Sequence, residues 1–181
     1  MTTSQPKFDS GKLDELILYI SARNLVNEHF GKTKLHKLLW MSDFRYFGLT
    51  GKAITGARYI NRQFGPFCEQ LPQALNRLED AGRLAIRERN LFEHSQLRPT
   101  PLKRADLSRF SAEEIAAVED VLWETWDSST RELSSRSHLH PGWAWTNEGD
   151  VIGYEFALVP VDEPFEEPYV PQQRPQAAAG D

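Results

Sequence analysis

The sequence predicts a mainly α (α+β) fold: a compact helical domain over residues 1–161 with a short antiparallel β-hairpin, then a disordered acidic tail over residues 162–181. Three observations carry this. Apolar residues recur at three- and four-residue spacing in four separate stretches, which puts each set on one face of a helix. Residues 84–98 hold two short β-favouring runs around a polar loop. The last twenty residues contain Pro164, Pro168, Pro171 and Pro175, with five acids against Arg174, and lack apolar periodicity. At 181 residues, with 10 Phe, 5 Tyr and 5 Trp to fill a core, the chain has the size and content of one domain.

Leu13, Leu16, Ile17 and Ile20 follow Asp9 and Ser10, either of which suits an N-cap, and predict a first helix over about residues 11–28. Leu35, Leu38, Leu39 and Ser42 trace a second, mostly core-facing helix after Thr33, with Gly48 placed to end it in the left-handed region. Residues 54–64 read as a loop with a short extended piece around Tyr59 and Ile60. The Gly65-Pro66 turn signal precedes a third helical stripe, Leu71, Ala74, Leu75 and Leu78, closed by Gly82. Pro72 then belongs in that helix's first turn, where its missing amide proton costs nothing. Leu84 to Glu88 and Gln96 to Arg98 form the hairpin strands around an Asn90 to Ser95 loop. Ser111 with Glu114 has capping-box spacing, Phe110 and Ile115 are spaced as a hydrophobic staple, and Ile115, Val118, Leu122 and Trp126 continue the helix to Asp127. Ser129 with Glu132 repeats the box for a shorter helix to about Ser137, which Pro141 stops.

Composition removes several classes of function. The net charge is −5, most of it in the tail, so the body is nearly neutral and is no generic polycation. Cys68 is the sole cysteine, which excludes an internal disulfide and any multi-cysteine metal site. With no signal-peptide pattern and no apolar run of membrane-spanning length, a cytoplasmic setting is expected. Glycine-rich phosphate loops, nucleophile elbows and His-Glu metalloprotease helices are all missing, so the common enzyme signatures fail together and leave an enzyme unsupported. His138 and His140 lack a third ligand, and the expectation is hydrogen-bonding histidines at a helix end without metal or cofactor. Cys68 reads as a small buried hydrophobe. Asp43, Arg45 and Tyr46 offer polar groups, but Asp43 and Arg45 point to different helix faces, which leaves Asp43 solvent exposure or a cap-like hydrogen bond.

Nucleic-acid binding has a sequence argument on each side. Arg83, Arg87, Arg89, Arg98, Lys103 and Arg104 face only Glu88 and Glu93 around the hairpin, and helix, helix and basic hairpin together resemble a winged helix. The Glu69 to Ala81 helix that would enter a groove carries Glu69, Glu79 and Asp80 against Arg77, which repels phosphate. A DNA-binding transcriptional regulator is therefore the alternative reading.

Taken in order, several blocks resemble the Panacea domain, the SocA-like antitoxin family found beside diverse toxins in bacteria and phages. The blocks are Lys34-Leu35-His36-Lys37-Leu38-Leu39-Trp40 running into Asp43-Phe44, then Ile54-Thr55-Gly56 with Tyr59, then Phe64-Gly65-Pro66. Glu132-Leu133-Ser134 leads to His138 and Trp143, and Ile152-Gly153-Tyr154-Glu155 continues into Ala157-Leu158-Val159-Pro160. Trp40 stands where a tyrosine is usual in the family. The resemblance implies an antitoxin that inactivates a toxin encoded nearby by direct protein–protein binding, blocking its active site or handing it to protease machinery. It also implies that no residue is catalytic and that Asp43, Gly65, Pro66, His138 and Trp143 are structural. The toxin-facing surface is expected between Arg45 and Arg62, where Arg45, Tyr46, Phe47, Tyr59 and Arg62 are hot-spot residue types; for Tyr59, completing the core is the competing reading.

Overall fold

Asp9 starts the first helix, α1 (Ser10–Arg23), by accepting the Lys12 backbone N–H at 2.9 Å. The computed structural model describes residues 5–91 and 94–160, so the expected tail and its boundary at residue 162 lie outside the described residues. Leu13, Leu16, Ile17 and Ile20 are all fully buried, as the spacing predicts. The helix stops at Arg23, short of the expected residue 28, where side chains take the carbonyls that would carry it on. Asn24 Nδ2 donates to the Ile20 carbonyl at 2.9 Å, and the Arg98 guanidinium, arriving from the hairpin, donates to the carbonyls of Asn24, Leu25, Asn27 and Phe30.

Helix α2 (Lys32–Thr50) is the central element and packs against α1 and two later helices. Leu35, Leu38, Leu39 and Ser42 are fully buried. Its end corrects the expectation at Gly48. Gly51 is the left-handed cap (φ 70°), its N–H donating to the Phe47 carbonyl, while Gly48 lies inside the helix, where a β-carbon would come within 2.9 Å of the Ala157 carbonyl oxygen.

The extended piece is β1 (Tyr59–Ile60), the middle strand of a three-stranded antiparallel sheet in the order β2 (Phe67–Cys68), β1, β5 (Val151–Ile152). Tyr59 sits opposite both Cys68 and Ile152. Helix α3 (Leu71–Asp80) buries Leu71, Ala74, Leu75 and Leu78, with Pro72 in its first turn and Gly82 left-handed at φ 62° behind it. The hairpin is longer than expected: β3 (Leu84–Leu91) pairs with β4 (His94–Pro101) from Leu84 opposite Pro101 to Asn90 opposite Ser95 and beyond. It is tied to α1 by Arg83, whose two guanidinium nitrogens reach the Glu15 carboxylate at 2.8 and 2.9 Å.

Both capping boxes form, at Ser111/Glu114 for α4 (Ala112–Glu124) and Ser129/Glu132 for α5 (Thr130–His138). Helix α4 ends before Asp127 because buried Lys34 claims the carbonyls beyond it, its ammonium donating to Thr125 at 2.9 Å and Ser128 at 2.7 Å. Trp126 accordingly leaves the apolar stripe and is 38% exposed. Pro141, expected only as a stop, also opens the short α6 (Pro141–Ala144), which His140 caps by accepting the Gly142 N–H at Nδ1. A 3-10 turn over Tyr154–Leu158 closes the core.

Candidate interaction surface

The motif residues converge on one buried carboxylate. Asp43 projects from the middle of α2 and is fully buried, which overturns the solvent-exposed reading. It accepts the Thr55 N–H at 2.8 Å, the Thr55 hydroxyl, and the Tyr59 hydroxyl at 2.7 Å; the Tyr154 hydroxyl lies 3.1 Å away and also reaches the Ala57 carbonyl at 2.9 Å. Oδ1 accepts the Thr55 N–H and Oδ2 accepts the Thr55 and Tyr59 hydroxyls, while the single Tyr154 proton is shared between Oδ2 and the nearer Ala57 carbonyl. Burial pushes the carboxyl pKa up, the donors from Thr55, Tyr59 and Tyr154 oppose that, and both tyrosines are themselves pushed up, first by burial and then by Asp43. Residues separated by up to 111 positions are thereby tied to one point.

This geometry corrects the expected toxin-facing set. Tyr59 is fully buried, bonded to Asp43 and edge-on to Phe44, so it completes the core. Phe47 is also buried, its ring 5.3 Å from Tyr154. Neither presents its ring to a partner. Tyr46 is half-buried against the core, and Arg45 is held by Glu124 at 2.5 Å with Asp120 at 3.7 Å. Arg62 is exposed, and its carbonyl accepts the Trp143 indole N–H at 3.0 Å. Arg45 lines an open groove of about 990 Å³ between α2, α4 and α5, floored by Trp40 and Phe44; Arg62 is not part of it.

The other motif residues brace the same core. Gly65 has φ 97°, and any side chain there would run into Ser137 and Lys37. The Lys37 ammonium donates to the Pro66 carbonyl at 3.1 Å. His138 stacks on Trp143 with ring centres 3.8 Å apart, and His140 packs edge-on to Trp40. Among the described residues no three His, Cys, Asp or Glu side chains come together as a metal site. Cys68 is fully buried with its thiol pushed up to about 12 by burial. The one histidine bonded to this residue, His36, uses Nδ1 to accept the Cys68 backbone N–H at 3.0 Å, and burial lowers its pKa to about 3.

Of the six hairpin bases, Arg83 and Arg98 are committed to internal bonds, and Arg77 on α3 forks onto Asp14 at 2.6 and 2.9 Å. The helix that a winged-helix protein would place in a groove has its one arginine tied to α1.

Sequence reasoning missed a face on the far side of α4. Trp123 is 86% exposed, Val26 81%, Leu25 52% and Trp126 38%. With Arg23, Glu119, Leu122 and Asp127, three of them (Val26, Trp123 and Trp126) border an open depression of about 580 Å³. The available signal was a tryptophan out of phase with the Val118–Leu122 stripe, amid Glu119, Asp120, Glu124 and Asp127.

No helix among the described residues is long and apolar enough to cross a membrane. Comparison with curated proteins and with solved structures returns no match. Residues 35–144 match the family model described as antitoxin SocA-like, Panacea domain, a span that runs from the buried face of α2 through the Asp43 partners Thr55 and Tyr59 to the His138–Trp143 stack. With more than half of its length inside that match, the chain belongs to the SocA-like Panacea antitoxin family.

Proposed function

We propose that the protein is an antitoxin that silences a separate toxin protein, encoded beside it, by stoichiometric binding and without catalysis of its own. Membership of the antitoxin family over residues 35–144 is the observation that carries this reading. The chemistry of the interior agrees with it. Cys68 is buried and held as the thiol, His36 is occupied as a hydrogen-bond acceptor, and the Asp43 carboxyl group is fully buried and hydrogen-bonded within its own fold. None of these groups is free to act as nucleophile or base toward an external substrate.

Co-expression tests the proposal. The gene beside this one, induced alone, should arrest growth; induced with this protein, growth should recover, and the two products should co-purify. Failure of recovery with every adjacent toxic gene refutes the reading. Toxin abundance during rescue separates the two routes: a blocked toxin stays at constant level, whereas one handed to a protease declines.

A further inference from the structure

We infer that the face formed by Leu25, Val26, Trp123 and Trp126 is the docking site for the toxin, and that it receives a cationic segment: an arginine or lysine flanked by apolar side chains. This rests on the antitoxin reading and names the surface and chemistry through which it works. The surface is built before any partner arrives. The loop carrying Leu25 and Val26 is held by Arg98, which donates to the Leu25 carbonyl at 2.8 Å and to Asn24 at 3.0 Å. Asn27 Nδ2 joins that loop to the end of α4 through the Trp126 carbonyl at 3.0 Å, and Lys34 fixes the same turn from inside. The backbone beneath an indole presented at 86% exposure is thus ordered before binding, which leaves chiefly side-chain ordering to be met on association.

Charge selects the partner. Asp120 and Asp127 lie three residues before and four after Trp123, and Glu119 and Asp127 line the depression that the indole borders, whereas Glu124 lines the groove on the Arg45 side. Arg23 is spent on Glu119 at 2.7 Å, Arg45 on Glu124 at 2.5 Å, and Arg89 only approaches Glu28 at 3.7 Å. Arg45 comes no nearer to Asp120 than 3.7 Å. With Arg23 matched by Glu119, Asp127 leaves the lining of the depression with one negative charge in excess. A phosphate backbone is repelled there, and a second copy of this chain would set acid against acid. A partner's arginine or lysine over the Trp123 ring gains cation–π attraction and carboxylate neighbours together, while its aliphatic flank covers Val26.

The test titrates the full-length protein with the purified product of the toxic reading frame beside its gene, by calorimetry and at two salt concentrations. Trp123→Ala should weaken binding by about tenfold or more and abolish growth rescue with an unchanged melting temperature. Asp120→Lys with Asp127→Lys should weaken binding comparably and flatten its salt dependence. Wild-type protein that neither binds nor rescues refutes the antitoxin reading. Wild-type protein that binds while both variants stay within about twofold of it refutes this surface alone. Self-association that Trp123→Ala removes would assign the face to a second copy and overturn the inference. One measurement needs no partner: relative to their efficiencies on free N-acetyltryptophanamide, caesium ions should quench the fluorescence that Trp123→Phe removes more than iodide does, and equal relative quenching would overturn the electrostatic argument.

Discussion

Replacing Asp43 with alanine should cost about 3–5 kcal/mol of folding stability. The substitution removes the acceptor for the Thr55 N–H, the Thr55 hydroxyl and the Tyr59 hydroxyl, all inside the core. The Tyr154 hydroxyl keeps the Ala57 carbonyl at 2.9 Å and is not orphaned. Three unsatisfied buried donors at about 1–3 kcal/mol each would cost roughly 3–9 kcal/mol, and no longer burying a carboxylate offsets several of these. Against a typical domain stability of about 5–15 kcal/mol, such a variant is close to unfolding. Urea titration followed by tryptophan fluorescence reads the change as a shift in midpoint at constant slope. Asp43→Asn keeps an acceptor for Thr55 and lets the hydroxyls turn to accept from its amide, so it should lose only about 1–2 kcal/mol. In a double-mutant cycle, Asp43→Ala and Tyr59→Phe should couple by about 1 kcal/mol or more, because each removes part of the same bond. A loss below about 1 kcal/mol for Asp43→Ala, or strict additivity in the cycle, would refute the view of this carboxylate as the point that ties the core together.

Acid should destabilise the protein through buried His36 and half-buried His140. Burial lowers His36 to about 3 and His140 to about 4, from an ordinary 6.5, so between those values the unfolded chain binds more protons than the folded one. The contribution is complete above pH 6.5 and is lost as pH falls toward 4 and then 3, at about 1.4 kcal/mol per pH unit for each histidine. Melting temperatures at successive pH values should fall through this window, less steeply in His36→Gln; a flat profile would count against both assignments. Arg98→Ala should cost about 2–3 kcal/mol by releasing four carbonyls, with Arg98→Lys recovering little, since an ammonium cannot reproduce the fork; full recovery by lysine in thermal melts would contradict that geometry.

Local chemistry was legible in the sequence and convergence was not. Ser111 with Glu114 and Ser129 with Glu132 announce their helices because each box closes within four residues. The end of α1 was misplaced because Arg98, some seventy residues downstream, decides it. Gly48 and Gly51 are equivalent signals in one dimension; only the approach of the Ala157 backbone tells which sits inside the helix. Tyr59 carries a residue type suited to interfaces, and its place in the core appears only when Asp43 and Tyr154 are brought beside it. Strands of two residues, such as β5, show no periodicity, so residues 151–152 entered the sequence reading only through the family resemblance. Trp123 went unnoticed because helix reading favours residues in phase with the core, and its significance lies in being out of phase.

The small sheet also sets an order of events during synthesis. Its central strand, β1, has one neighbour eight residues away and another about ninety residues on, and the second brings Tyr154 to the Asp43 carboxylate. A nascent chain that has reached only α5 can form both capped helices and the hairpin, but it leaves one edge of β1 unpaired and Phe44 and Phe47 without the ring that covers them. Closure of the interior thus waits for residues 151–158 to leave the ribosome, and chains interrupted before that point expose sticky aromatic surface.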